Sequence, residues 1–297
     1  MNNSIFKVSI VIPTFNRAIY LEKCILSALE QTEKCEIIVC DHGSSDNTMQ
    51  LMEKFHDKVI YIRREIDYGI HFTWLDAILT ATCDFIHFNF DDDWIAPTFI
   101  EECLSLMNDS VGCCFSNVNM YLQESDTYNY NIIKLGLETG IHNSNILRNY
   151  SYKSVLSPGA GLFRKKTLLD SLFVGNIPFS KNTYKGVGPD VLFSLMASEE
   201  YKYFGFINKP LAFFRSHDNS ITIDASKLDG TKKNIKKAYN EAVIFYMILR
   251  FVHRYNLFFF FQLKLFFIHY FNTKSIKLYI VKNINSYIFR KKMKSIL

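Results

Sequence analysis

Residues 7–90 alternate four short apolar runs with segments of helical spacing, and this alternation limits the possible folds more than any other feature of the chain. Lys7–Pro13 is a continuous β-branched run stopped by proline, the pattern of a strand buried on both faces. After a turn at Thr14–Asn16, a helix is expected to about Gln31, with Leu21, Cys24, Ile25, Ala28 and Leu29 on one face and Asn16 as its N-cap. Glu36–Cys40 reads as a second strand. The loop Asp41–Thr48 is dense in turn and cap residues and opens a helix through Phe55. Val59–Arg63, a helix over 72–82 and the run Asp84–Phe90 complete the series. Strands separated by helices imply an α/β fold with a parallel sheet and right-handed crossovers.

The fourth run empties into Asp91-Asp92-Asp93-Trp94. In open α/β sheets, ligands sit at the C-terminal edge of the strands. Three strands here end in polar loops on that edge: Thr14–Asn16, Asp41–Thr48 and Asp91–Asp93. Clustered carboxylates suit a hard divalent cation, which takes oxygen ligands and often arrives with phosphate. Taken alone, the trio reads equally well as a solvated turn with an acidic cap for a helix near Pro97. The convergence of three polar loops favours a site.

The net charge of +5 conceals a polarity. Residues 227–297 hold 15 Lys/Arg against Asp229 and Glu241, so this segment carries +13 and the preceding 226 residues carry −8. A basic terminus of this kind points to an anionic partner. The seven cysteines are an odd number without a C-x-x-C pair, which argues against zinc and disulfides and fits a reducing compartment. No basic segment followed by a long apolar run opens the chain, so the expected location is cytoplasmic.

Val8-Ser-Ile-Val-Ile-Pro-Thr-Phe-Asn-Arg17, then Asp41-x-x-Ser-x-Asp46-x-Thr48, then the acidic trio, resemble a family 2 glycosyltransferase of the GT-A fold over roughly residues 5–223. The resemblance implies a Rossmann-like, mostly parallel sheet flanked by helices. It also implies a nucleotide-diphosphate sugar donor, a divalent cation (Mn²⁺ or Mg²⁺) and inversion by direct displacement. On the family pattern Pro13, Thr14, Phe15 and Asn16 border the nucleotide, and Asp41 accepts a hydrogen bond from the base. Asp91 and Asp92 serve the ribose, and Asp93 meets the metal. Asp46 reads as a helix cap rather than a donor contact. The three aspartates are contiguous, whereas a common family form is Asp-x-Asp-Asp, which leaves open whether Asp91 or Asp92 meets the ribose. Arg63 and Arg64 stand either near the diphosphate or in solvent.

Beyond the trio, a helix over 98–107 and a strand at Val111–Ser116 are expected, followed by polar loops over 121–157. Ser157–Arg164 is a small-residue turn entering a strand, either packed beneath the sugar or simply a tight turn. Gly186-Val-Gly-Pro-Asp190 precedes an apolar helix, and Asp190 matches the family's general base; plain N-capping is its other reading. Strand-like Phe206–Arg215 leads to His217, which by resemblance completes the metal shell or meets the diphosphate, with Arg215 a weaker phosphate candidate.

From Lys232 the chain turns basic and aromatic. Ala242–Leu249, Tyr255–Leu263 and Leu265–Thr273 are apolar but are interrupted by Arg250, Arg254, Lys264 and Lys274, too often for a membrane span. The expected organisation is a catalytic domain over 1–226, with nucleotide and acceptor parts meeting near 116, and a helical tail over 227–297. That tail either lies on the inner face of the cell membrane or packs on the core or on a second copy, which leaves a homo-oligomer open. No nucleic-acid module accompanies it. The expected acceptor is a saccharide or lipid-linked saccharide of a bacterial surface polysaccharide, such as O-antigen, capsule or lipooligosaccharide, with UDP as the donor nucleotide. A sugar nucleotidyltransferase is the competing enzyme class, but Pro13–Arg17 lacks its Gly-rich phosphate loop. A catalytically degenerate membrane scaffold is the non-enzymatic alternative.

Overall fold

A computed structural model describes residues 6–173 apart from 124, 130–132, 134, 153 and 155, then residues 190–217 and 233–254. The glycine loop at 186–189 and the tail beyond 254 lie outside the described residues. Strands β1 (Val8–Thr14), β2 (Glu36–Asp41), β3 (Ile60–Arg63) and β4 (Phe85–Phe88) form a parallel block in the order β3-β2-β1-β4. Every residue of β1 and β2 is buried, as their unbroken apolar runs require. The sheet continues through β9 (Gly161–Arg164), β6 (Val111–Leu122) and β10 (Tyr203–Ser216) to the two-residue β5 (Trp94–Ile95). This half is mixed: β9 runs antiparallel to both β4 and β6, whereas β10 is parallel to β6.

The helices fall into two contiguous groups. In one, α1 (Ala18–Leu29) buries Leu21, Cys24, Ile25 and Ala28 at i, i+3, i+4 and i+7 and touches α2 (Thr48–Glu53). Gln31, just past α1, joins it to α4 (Phe99–Ser105) by bonding Ala96 and Ile100. The other group comprises α3 (Ile70–Thr80), α5 (Ser144–Ser151), α6 (Lys165–Ser171), α7 (Val191–Glu200) and α8 (Lys233–Arg254). Trp74 of α3, Phe88 of β4 and Phe193 of α7 pack with ring centroids 5.6–5.8 Å apart, linking that group to the sheet beside the acidic trio.

Several boundaries differ from expectation for identifiable reasons. β1 runs through Pro13 rather than stopping there. The Val11 carbonyl faces β4, so residue 13 faces the same way, and the ladder to β4 has ended at Val11–Phe88, where no N–H is needed. Asn16 does not cap α1. Its φ of 55° is left-handed, and its side-chain oxygen accepts instead from the Ser45 amide at 2.7 Å. Residues 121–157 are not only loops: they contain β7 (Thr127–Asn129), β8 (Gly140–Asn143) and α5. The start of the basic tail is part of the folded unit, because Ala242, Phe245 and Tyr246 of α8 cover Val191, Leu192 and Leu195 of α7. Among the described residues, no helix is long and apolar enough to cross a membrane.

Candidate active site

The three polar loops expected at the sheet edge are bonded to one another. Asp46 fixes the first two. Its Oδ2 accepts from the Ala18 amide at 3.0 Å and its Oδ1 from the Thr48 amide at 3.0 Å, so one carboxylate caps both α1 and α2. The Thr48 hydroxyl and these amides hold the Asp46 carboxyl below its usual range against the opposing effect of partial burial. Asn16 donates its amide to Ser44 Oγ at 2.9 Å. The Phe15 amide lies 3.4 Å from Asp91 Oδ2, joining the first loop to the third.

Asp41, at the end of β2, is 2 % exposed. Its Oδ1 accepts from the amides of Gly43 (3.1 Å) and Ser44 (2.8 Å), and its Oδ2 accepts from the Tyr61 hydroxyl (2.8 Å) with Arg63 Nε at 3.5 Å. Asp41 therefore orders its own loop, and the base contact expected of it competes with partners already in place. Gly43 must be glycine there: its φ is +99°, and a Cβ would meet the Glu65 carbonyl oxygen at 3.1 Å. Arg63 also donates to the Ser44 carbonyl at 3.1 Å, while Arg64 forks onto Asp76 of α3. Both arginines are partly exposed and bond the loop and the helix beside them.

Sequence reasoning gave no role to His42. Its ring stacks on half-exposed Phe15 at 4.8 Å, and its Nδ1 lies 2.8 Å from Asp67 Oδ1. Phe15 and His42 thus form an aromatic platform beside the first two loops, which one residue from each of two strand ends assembles. Phe15 was among the expected residues, and the adjacency of His42 to Asp41 was its only sequence signal.

At the third loop Arg17 bridges Asp91 Oδ1 (3.2 Å) and Asp92 Oδ2, the latter in a short contact. His217 Nε2 lies 3.1 Å from Asp92 Oδ2, and the His217 ring stands 4.7 Å from Tyr20. Asp93 Oδ1 accepts from the Arg215 amide at 2.9 Å. His217 therefore meets Asp92 directly, and Asp93 is tied to the end of β10, just before His217. Burial, then the charge of Asp92, pushes the Asp91 and Asp93 carboxyls upward; Asp92 goes down because His217 and Arg17 together outweigh burial. Among the described residues, Arg17 and His217 meet the carboxylates of this trio, and Arg215 bonds its backbone. The pocket's oxygen-rich donor set with one imidazole fits a hard cation, although among the described residues no three such groups already converge as a cage.

Arg215 lies against the backbone of the trio. Its guanidinium stacks 4.9 Å from Tyr20, 5.2 Å from Trp94 and 5.5 Å from Tyr121, and its Nε donates to the Asp92 carbonyl at 3.2 Å. The small-residue turn at Ser157–Gly161 lies beneath aromatic rings flanking the trio. A Cβ on Gly159 would meet Phe90 and Phe214 at 3.2 Å, and one on Gly161 would meet Phe115 and Phe163 at 2.8 Å. These glycines seat the rings of the site floor.

Asp190 stands at the N-terminus of α7, one turn before Phe193, and makes no side-chain capping bond. It is buried, and its Oδ2 accepts from the Tyr239 hydroxyl of α8 at 3.3 Å. Tyr239, missed in the sequence, thus links the basic tail to the expected base.

Comparison with known proteins adds to this geometry. The family model for Glycosyl transferase family 2 matches residues 9–172, more than half of the chain. The hyaluronan synthase of Pasteurella multocida is 32% identical over 125 residues, which are 39% of this chain and 13% of that protein. The GalNAc(5)-diNAcBac-PP-undecaprenol beta-1,3-glucosyltransferase of Campylobacter jejuni is 32% identical over 116 residues, 37% of this chain and 38% of that protein. The chain thus spans well under half the length of these curated relatives. Among solved structures, S. aureus TarS 1–349 in complex with UDP-GlcNAc superposes with a TM-score of 0.59 at 17% identity, over 80% of this chain and 72% of that one. At that identity the likeness establishes the GT-A fold.

Proposed function

The chain belongs to glycosyl transferase family 2, and from that premise we propose that it is an inverting, cation-dependent transferase that moves a sugar from a UDP-sugar to a saccharide or lipid-linked saccharide. The observation that carries this reading is the joining of Phe15, Arg17, Asp91, Asp92 and His217 in one contact network at the sheet edge, with Asp93 bonded to the Arg215 amide beside it. UDP is favoured because a solved neighbour was captured with UDP-GlcNAc. A bacterial glycan acceptor is favoured because relatives carry names such as hyaluronan synthase and an undecaprenol-linked glucosyltransferase.

On this reading Phe15 and His42 support the base, and Pro13, Thr14 and Asn16 fix the loop that borders the nucleotide. Asp91 and Asp92 receive the ribose side of the donor, and Asp93 and His217 flank Asp92 where the cation and diphosphate meet. The cation, Mn²⁺ or Mg²⁺, supplies charge neutralisation to the departing diphosphate. Asp190 takes the proton of the acceptor hydroxyl as that oxygen attacks the anomeric carbon from the face opposite the leaving group. The Tyr239 hydroxyl orients this carboxylate. The apolar stripe Ile244, Met247, Ile248 and Phe251, exposed on α8 at helical spacing, supports a tail that meets the membrane interface.

UDP release from candidate UDP-sugars with Mn²⁺ and saccharide acceptors tests the activity. Asp190→Asn is expected to lower kcat by about 100-fold or more while leaving the UDP dissociation constant nearly unchanged. Transfer by this variant at the wild-type rate would remove Asp190 from the chemistry.

A further inference from the structure

Arg17 occupies the place in this pocket where positive charge is most needed. Its Nη1 touches carboxylate oxygens of both Asp91 and Asp92, and His217 reaches the same Asp92 oxygen from the other side. The guanidinium is about as shielded from solvent as the two acids it joins. The Arg17 carbonyl accepts from the amides of Tyr20 (3.0 Å) and Leu21 (3.1 Å), which pins the backbone at the start of α1. Its side chain can therefore leave the carboxylates by rotation about its own bonds, without unwinding the helix.

We propose that Arg17 is the resident counter-ion of the Asp91–Asp92 pair, and that it yields this position when a divalent cation enters together with the nucleoside diphosphate. The inference rests on the donor-site reading above and deepens it. A free cation approaching Asp92 meets the guanidinium a few ångströms away, and like charges at that separation repel strongly in a pocket shielded from water. A free cation must therefore displace Arg17 from the two carboxylates and offers it no new anion in exchange. A cation arriving with diphosphate brings new anionic oxygens, to which the displaced guanidinium can turn in a bidentate fashion. Arg17 consequently makes the site selective for the cation–nucleotide pair over the cation alone. It is a positioning residue, because it acts through the carboxylates.

The test measures Mn²⁺ binding to the full chain by the electron paramagnetic resonance of free Mn²⁺, with and without UDP, for wild type, Arg17→Gln and Arg17→Lys. Melting curves confirm that each variant is folded. Wild type is expected to bind Mn²⁺ weakly alone and much more tightly with UDP. Arg17→Gln is expected to bind Mn²⁺ alone at least 10-fold more tightly than wild type, with the gain from UDP reduced. Arg17→Lys, which keeps the charge, is expected to stay near wild type and serves as the measure if the glutamine variant does not fold: tenfold tighter binding of Mn²⁺ alone to the lysine variant contradicts the proposal. Unchanged or weaker binding of Mn²⁺ alone to Arg17→Gln overturns the role of Arg17 and leaves the donor site standing, provided UDP still enhances binding. If UDP enhances Mn²⁺ binding to none of the three proteins, the donor-site reading itself fails.

Discussion

At the scale of single residues, the chain buries polar and titratable groups within the sheet and at its edge. His87 lies wholly buried in β4, with Nδ1 2.9 Å from the Gly161 carbonyl oxygen and, among the described residues, no partner for Nε2. Burial pushes the pKa of His87 down to about 4, and burial does the same to His71. A histidine held low in the folded state and near 6.5 unfolded stabilises the fold fully above pH 6.5 and loses that contribution as pH falls toward 4. Asp91 and Asp93, held high, act in the opposite sense over the same acidic range. The histidine part is therefore read as a difference. Urea unfolding at pH 7.5 and pH 5 is expected to show a smaller acid-induced loss for His87→Gln than for wild type, by about 1 kcal/mol per pH unit below 6.5. Equal losses would assign the acid sensitivity elsewhere.

At the scale of elements, the Asp46 carboxylate binds two helices to two loops. Asp46→Ala is expected to cost about 1 kcal/mol for each of α1 and α2, measurable by urea titration, and to weaken UDP binding because the Phe15–Asn16 loop loses its anchor. A loss confined to one helix would leave the double cap unsupported. The elements that were legible in the sequence are those with a strong local pattern: β1 and β2 are β-branched runs buried throughout, β3 and β4 are short runs between turn residues, and α1 carries its stripe at helical spacing. The expected strands at 111–116 and 206–215 were found but are longer: the extension of β6 runs through the polar Asn117 and Asn119, and β10 begins three residues earlier at Tyr203. β7 is exposed throughout, β8 is half-exposed, and α5 buries Arg148 beside Leu147, so none of the three presents an apolar pattern. The insertion of β9 between β4 and β6 is a long-range pairing that local patterns do not encode. The same holds for the site. The acidic trio and His217 announce themselves by residue type, whereas Arg17, His42 and Tyr239 act through partners 25 to 75 residues away from themselves or their contacts.

At the scale of the whole molecule, α8 joins a catalytic unit to a strongly basic terminus. Its inner face completes the packing of α7 and brings Tyr239 to Asp190, and its outer face leaves Ile244, Met247, Ile248 and Phe251 exposed. Co-sedimentation with anionic lipid vesicles is expected for the full chain, with retention falling severalfold for the double substitution Ile248→Glu/Phe251→Glu and at high salt. Retention unaffected by both would place the membrane contact elsewhere or nowhere. The central claim concerns the pocket itself: loops from three strand ends, with His217 closing the fourth side, hold a nucleoside diphosphate and a cation together. Calorimetric titration of UDP into the full chain tests it most directly, with Mn²⁺ present or removed by chelation, for wild type and Asp93→Asn. The account expects binding that Mn²⁺ strengthens at least tenfold in wild type and that loses this dependence in Asp93→Asn. UDP binding that is equally tight without metal, or untouched by the substitution, would contradict it.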